Sequence, residues 1–216
     1  KIRHMSLEKM ISLTEEFISL GVTTFHNESD TFGIHPLDRE YLRWIAEQRK
    51  NGKKINLVNT NSFFAKYFFP NGKFASERVD LLKDAGFKTI TISIESFDEK
   101  YNRGKLKGID LQMLRDCVDY IKHQGLNSDV YMMYLFPGQT EEELKQDTTR
   151  VENLSDSTNI TWRSLMHFPG TIYYDWAIKN KKFSEEEYKR DLEKGYSFYQ
   201  VNEKYNFSQI KNPPKL

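Results

Sequence analysis

Residues 89–104 read "TITISIESFDEKYNRG", and the first seven of them decide the fold. Ile90, Ile92 and Ile94 alternate with Thr89, Thr91, Ser93 and Glu95, the period of two that gives a strand one apolar face and one polar face. A central strand of a doubly wound open sheet is covered by helices on both sides and reads as a continuous apolar run. Here only the isoleucine face suits a helix layer, so the pattern predicts a barrel-like sheet whose polar face lines a lumen holding water or ligand. Glu95 ends that face where the strand ends, at the edge on which βα barrels carry their chemistry.

The same cadence recurs along the chain. Gly21, Gly52, Gly86 and Gly125 each stand between a helical pattern and a short β-rich run, and they lie 31, 34 and 39 residues apart, the length of a βα unit. The spacing predicts parallel strands near residues 22–27, 54–60, 88–95, 129–136 and 159–166. Between them, Leu7, Met10, Ile11, Phe17 and Ile18 follow Ser6 as N-cap, Leu37, Tyr41, Trp44 and Ile45 follow Pro36, and Thr140 with Glu143 forms a capping box. Leu114, Cys117, Val118 and Ile121 make one apolar stripe, which assigns the lone cysteine to core filling. Five strands cannot close an eight-stranded barrel. The expected fold is therefore α/β, a partial (βα) barrel over residues 1–183 with a charged, aromatic helical extension over 184–216.

Composition sets outer bounds. With 216 residues, 32 Lys and Arg against 31 Asp and Glu, and a net charge of +1, the chain carries no global field that would draw nucleic acid. No apolar run approaches a membrane span and no signal-peptide pattern opens the chain, so a cytoplasmic location and no membrane partner are expected. One cysteine excludes an internal disulfide and a thiolate metal site.

Polar residues gather at the predicted strand ends: "HNESD" with Glu28 and Asp30, "NTNS" with Asn59 and Asn61, Glu95 with Ser96, then "LFPG" and "HFPG". His26, Glu28 and Asp30 read either as turn chemistry or as a metal site of an aldolase or hydrolase barrel, and turn chemistry is the ordinary explanation. The two proline-glycine stretches read singly as turns leading to N-caps. As a set at one end of successive strands they mark a site. Arg163 falls on the polar parity of the last strand and, with Asn59 and Asn61, is expected to face the lumen, either to bind a polar or anionic substrate or to fill the barrel with a hydrogen-bonded network.

The order of "GVTTFHNESDTF", "RVDLLKDAGFKTITISIES", "MMYLFPGQTEEEL" and "SLMHFPGTIYYDWAIKNKKF" resembles the radical S-adenosylmethionine (SAM) superfamily, in the branch of cobalamin-linked members and methylthiotransferases. The resemblance covers residues 1–183 and implies a six-unit partial (βα) barrel. It further implies a 4Fe-4S cluster that reduces SAM to a 5'-deoxyadenosyl radical, which takes hydrogen from a small-molecule or peptide substrate. Glu28 or Asp30 would meet the methionine ammonium, Glu95 and Ser96 the ribose or the methionine end, and Tyr134, Phe136 and His167 the adenine through backbone groups and stacking. Cobalamin, if used, would sit in a separate domain.

One departure is plain. The family's CxxxCxxC loop is absent, and the expectation is that the first strand and this loop belong to an upstream segment. The alternative is a degenerate, non-catalytic barrel that binds a small molecule or a protein.

Overall fold

The computed structural model describes residues 4–29, 32–59, 61–102, 106, 108–154, 158–195 and 204. Helix α1 (Leu7–Ser19) opens on Ser6, whose hydroxyl accepts from Lys9 N at 3.3 Å. Strand β1 (Thr24–Asn27) leads into α2 (Pro36–Lys50), where Pro36 is preorganised for the first turn and His35 and Asp38 form a reciprocal cap. Strand β2 (Asn56–Asn59), a short β3 (Phe63–Phe64) and α3 (Ala65–Phe68) follow, then α4 (Ser76–Asp84) and β4 (Thr89–Glu95). The chain continues through α5 (Glu99–Asn102), α6 (Leu111–His123), β5 (Asn127–Tyr134), α7 (Glu141–Glu152), β6 (Asn159–Ser164), α8 (Ile172–Lys179) and α9 (Glu185–Glu193).

Every ladder is parallel. β1 pairs with β2, β3 with β4, β4 with β5 and β5 with β6, while a single bridge between Leu57 and Phe87 joins β2 to the lead-in of β4. The described strands form a two-stranded sheet, β1–β2, and a four-stranded sheet, β3–β4–β5–β6, each in chain order, and among the described residues no pairing joins β1 to β6. β2 falls within the strand expected near 54–60, and β3 is a further short strand that the spacing did not predict. Side-chain amides gather where β2 ends: Asn59 Nδ2 donates to Asn61 O and Asn61 Nδ2 to Glu28 O at 3.3 Å, engaging carbonyls at the point where the ladder stops. Phe63, fully buried, resumes pairing opposite Ile92.

The apolar face packs as the alternation requires. Ile90, Ile92 and Ile94 share one buried cluster with Val79 and Leu82 of α4 and with Leu114, Cys117, Val118 and Ile121 of α6. Each such aliphatic side chain contributes about 1.5–3 kcal/mol of transfer free energy. Burial pushes the Cys117 thiol far above its usual range, which makes it inert filling. A second cluster of Tyr174, Ala177, Phe183 and Tyr188 joins α8 to α9, and the Tyr188 hydroxyl donates to His167 O at 2.7 Å. Among the described residues no helix is long and apolar enough to cross a membrane.

Gly86 is the tightest of the helix-ending glycines. Its φ is +99°, and a Cβ there would lie 2.6 Å from Ile55 O, whereas Gly52, at φ +89°, faces open space. Gly52→Ala should cost about 1 kcal/mol from the left-handed backbone alone, and Gly86→Ala at least about 1 kcal/mol more from the carbonyl clash, read as denaturation midpoints at constant m-value.

His4 offers a second test. Its Nε2 donates to Asp38 Oδ1 at 2.7 Å, and that hydrogen bond raises the imidazole above its ordinary pKa of 6.5. The contact stabilises fully below pH 6.5 and is lost as pH rises through the raised value, so His4→Gln should lower the melting temperature at about pH 5.5 and change it little at about pH 8.5.

Candidate functional site

Parallel pairing brings the C-terminal ends of all the strands to one edge, where Glu28 follows β1 and stands exposed, Glu95 ends β4, and the Leu135–Gly138 and Leu165–Gly170 turns follow β5 and β6. Asp30 lies outside the described residues. The lumen face is built from register. Thr91 stands opposite Asp129 and Asp129 opposite Asn159, Ser93 opposite Tyr131 and Tyr131 opposite Thr161, and Met133 opposite Arg163. Asn159 Nδ2 donates to Asp129 Oδ1 at 2.9 Å, and the exposed Arg163 guanidinium lies over the Tyr131 ring, 5.8 Å from its centroid. Ile160 and Trp162, on the opposite parity of β6, pack against the core. Arg163 is therefore on the open polar face, as the alternation predicted.

Glu95 sits in an unusual backbone. The β4–β5 ladder shifts register between Ser93 and Glu95, φ at Glu95 is +68°, and Ser96 N donates to Ile94 O at 2.9 Å. A hydrogen bond from residue i+2 back to residue i around a centre of positive φ is the rare, strained form of γ-turn. A non-glycine residue held there costs of order 1–3 kcal/mol, and such strain concentrates at ligand sites. Leu135, just past the end of β5, repeats the left-handed conformation at φ +65°. Gln139 closes the turn that follows, its Oε1 accepting from Phe136 N at 3.3 Å.

Several expected site side chains face elsewhere. Asn59 stands opposite Asn27 in the β1–β2 ladder, and its amide is engaged there, with Asn27 at 3.0 Å and with Asn61; Asn61 is a strand-end crosslink. Ser96 is fully buried, its hydroxyl donating to Asp147 Oδ2 at 2.5 Å. The Phe136 ring stacks on Tyr101 at 4.7 Å, Tyr134 packs against Trp162 and Leu144 on the helix side, and His167 is 2% exposed. Backbone groups here are engaged as well: Tyr134 O accepts from Leu165 N, Phe136 O from Gln139 N and His167 O from the Tyr188 hydroxyl.

The spacing also missed residues. Asp147 lies between Leu144 and Val151 on the buried face of α7, and a carboxylate within that stripe was the available signal. Tyr131 and Asp129 needed the register, which only pairing supplies.

The sequence over residues 1–150 matches the Radical SAM superfamily. The chain belongs to that superfamily. A GTP 3',8-cyclase from Aquifex aeolicus (strain VF5) is 23% identical over 186 residues, covering 86% of this chain and 54% of the relative. Among solved structures, the radical SAM methyltransferase TsrM from Kitasatospora setae, with cobalamin and a 4Fe-4S cluster bound, superposes with a TM-score of 0.67 at 18% identity, over 82% of this chain and 34% of that one. Coproporphyrinogen III oxidase (HemN) from Escherichia coli, a radical SAM enzyme, gives 0.53 at 15% identity, over 92% and 49%. The chain thus spans about half the length of the cyclase and a third of TsrM. These likenesses support an enzyme fold of the radical SAM kind.

The cluster that the superfamily implies does not fit the residues present. Three thiolates are required, and the one cysteine here is fully buried in the core with its thiol strongly disfavoured as thiolate. Anaerobic incubation of this chain with iron and sulfide should leave it colourless; a stable brown protein holding roughly four irons per chain would show ligands of another kind.

Proposed function

We propose that this chain is the SAM-binding core of a radical SAM enzyme whose cluster thiolates are supplied by residues outside this sequence. What supports the reading, beyond membership of the superfamily, is the convergence on one sheet edge of an exposed Glu28 and a strained, turn-mounted Glu95. A carboxylate is the natural partner of a fixed ammonium and a strong acceptor for ribose hydroxyls, so Glu28 meets the methionine ammonium and Glu95 the ribose or methionine end of SAM. Backbone groups of the Leu135–Gly138 and His167–Gly170 turns flank the adenine, since the side chains of Phe136 and His167 are committed to packing. The chain's own share of the chemistry is to bind, orient and shield; the radical chemistry belongs to the bound cofactors.

The substrate reads as polar or anionic. Arg163, braced on Tyr131, is the cation placed on the lumen face, and Asp129 with Asn159 lies deeper on the same face. The lone buried cysteine favours a second reading, a degenerate barrel that binds a small molecule without radical chemistry. The cytoplasmic location, the separate cobalamin domain and the treatment of residues 184–216 as an extension belong to the same proposal.

The test is a pair of measurements on the chain and its Glu95→Gln variant. Replacing a charge-assisted hydrogen bond by a neutral one should weaken SAM binding by about 1.5–3 kcal/mol, roughly ten- to hundredfold in the dissociation constant from calorimetric titration, with the thermal midpoint little changed. Unchanged affinity with lost stability would make Glu95 a structural residue.

A further inference from the structure

The turn that carries Glu95 is held from a distance. Ser96, fully buried, engages each of its polar groups: its N–H donates to Ile94 O at 2.9 Å, its carbonyl accepts from Asn102 Nδ2 at 3.1 Å, and its hydroxyl accepts from Asp98 N at 3.0 Å while donating to Asp147. Phe97 N donates to the second Asp147 oxygen at 2.9 Å. Asp147 stands on α7, about fifty residues further along the chain, and is 1% exposed. Its two oxygens meet two adjacent donors, which an asparagine, with one acceptor, cannot match.

We propose that Asp147 is a positioning residue, whose carboxylate fixes Ser96 and Phe97 and thereby holds the strained turn that aims Glu95 at the ligand. A residue at positive φ without glycine's freedom persists only where its surroundings over-determine it, and the Ser96–Asp147 network supplies that constraint. Burial raises the Asp147 pKa, and the Ser96 and Phe97 hydrogen bonds, with the charge of Arg150, offset this only in part, so the carboxylate is costly where it is. Helix α7 grips the same segment a second time. Four residues before Asp147, Glu143 Oε2 accepts from the Tyr101 hydroxyl at 2.9 Å while capping Thr140 N at 2.8 Å. Because α7 begins where the Leu135–Gln139 turn ends, one rigid element ties the two left-handed strand ends together.

The inference rests on the reading of Glu95 as a SAM ligand, and the experiment separates the two. Amide hydrogen exchange of Ser96 and calorimetric SAM titration are measured for the chain, Asp147→Ala, Glu95→Gln and the double variant, with Asp147→Asn and Ser96→Ala as milder changes should Asp147→Ala fail to fold. Asp147→Ala should speed Ser96 exchange by about tenfold or more, and should weaken SAM binding about as much as Glu95→Gln; the double variant should bind within about twofold of Glu95→Gln, because both act through one contact. Asp147→Asn and Ser96→Ala should each give a smaller shift in the same direction. Unaltered Ser96 exchange in the Asp147 variants, or losses that add in the double variant, would overturn the proposal. If Glu95→Gln leaves the affinity unchanged, the ligand role of Glu95 falls, whereas the hold of Asp147 on the turn stands or falls on the exchange alone.

Discussion

Parallel pairing of β4 with β5 is the constraint on which the rest of the structure depends. Two strands running the same way must be joined by a crossover, here α6, and they deliver their C-terminal ends to the same edge. The pairing also locks parity: once Ile92 is opposite Val130 and Val130 opposite Ile160, the apolar sides of three strands face the helices and the polar sides face the lumen together. A slip of one residue would turn Ile90, Ile92 and Ile94 into the polar face and set Thr91 and Ser93 against the helix layer. The fully buried isoleucines make that slip prohibitively costly.

The candidate site then divides into a rim and a support. On the rim stand groups that a ligand can reach, Glu28 and Glu95 at the strand ends and Arg163 over Tyr131 on the lumen face. Behind them is a layer of buried polar and aromatic groups that face inward. Ser96 and Asp147 hold the Glu95 turn, Gln139 holds the turn after β5, and Tyr101 stacks on Phe136 while its hydroxyl reaches Glu143. Burial, the largest influence on the Tyr101 phenol, moves its pKa up to about 12, so it stays a neutral donor to Glu143 throughout the physiological range. The chain belongs to the radical SAM superfamily, and the cysteine count sets the limit on what these residues do alone.

Much of this was legible in the sequence because periodicity is a local property. The alternation in 89–95, the glycines after each helix, the Ser6 and Thr140 caps and the buried stripe around Cys117 are all present in the structure. What escaped was non-local or conformational. The short strand β3 was not predicted because its pairing, Phe63 opposite Ile92 of β4, joins segments far apart in the chain. Ser96, Phe136 and His167 looked like rim residues from their place after strands, yet each found a partner across the fold, in Asp147, Tyr101 and the α8–α9 cluster respectively.

The sequence by itself determined the βα repeat, the sidedness of the strands and the edge on which polar residues collect, because helix and strand periods, caps and turn residues act over a few positions. Only the tertiary structure decided which of those polar residues stay exposed and which are enclosed, since enclosure depends on contacts between separate elements, as between Ser96 and Asp147. It also decided the left-handed turn at Glu95, a conformation that a glutamate does not favour locally and adopts because Ser96 and Asp147 hold the chain beyond it.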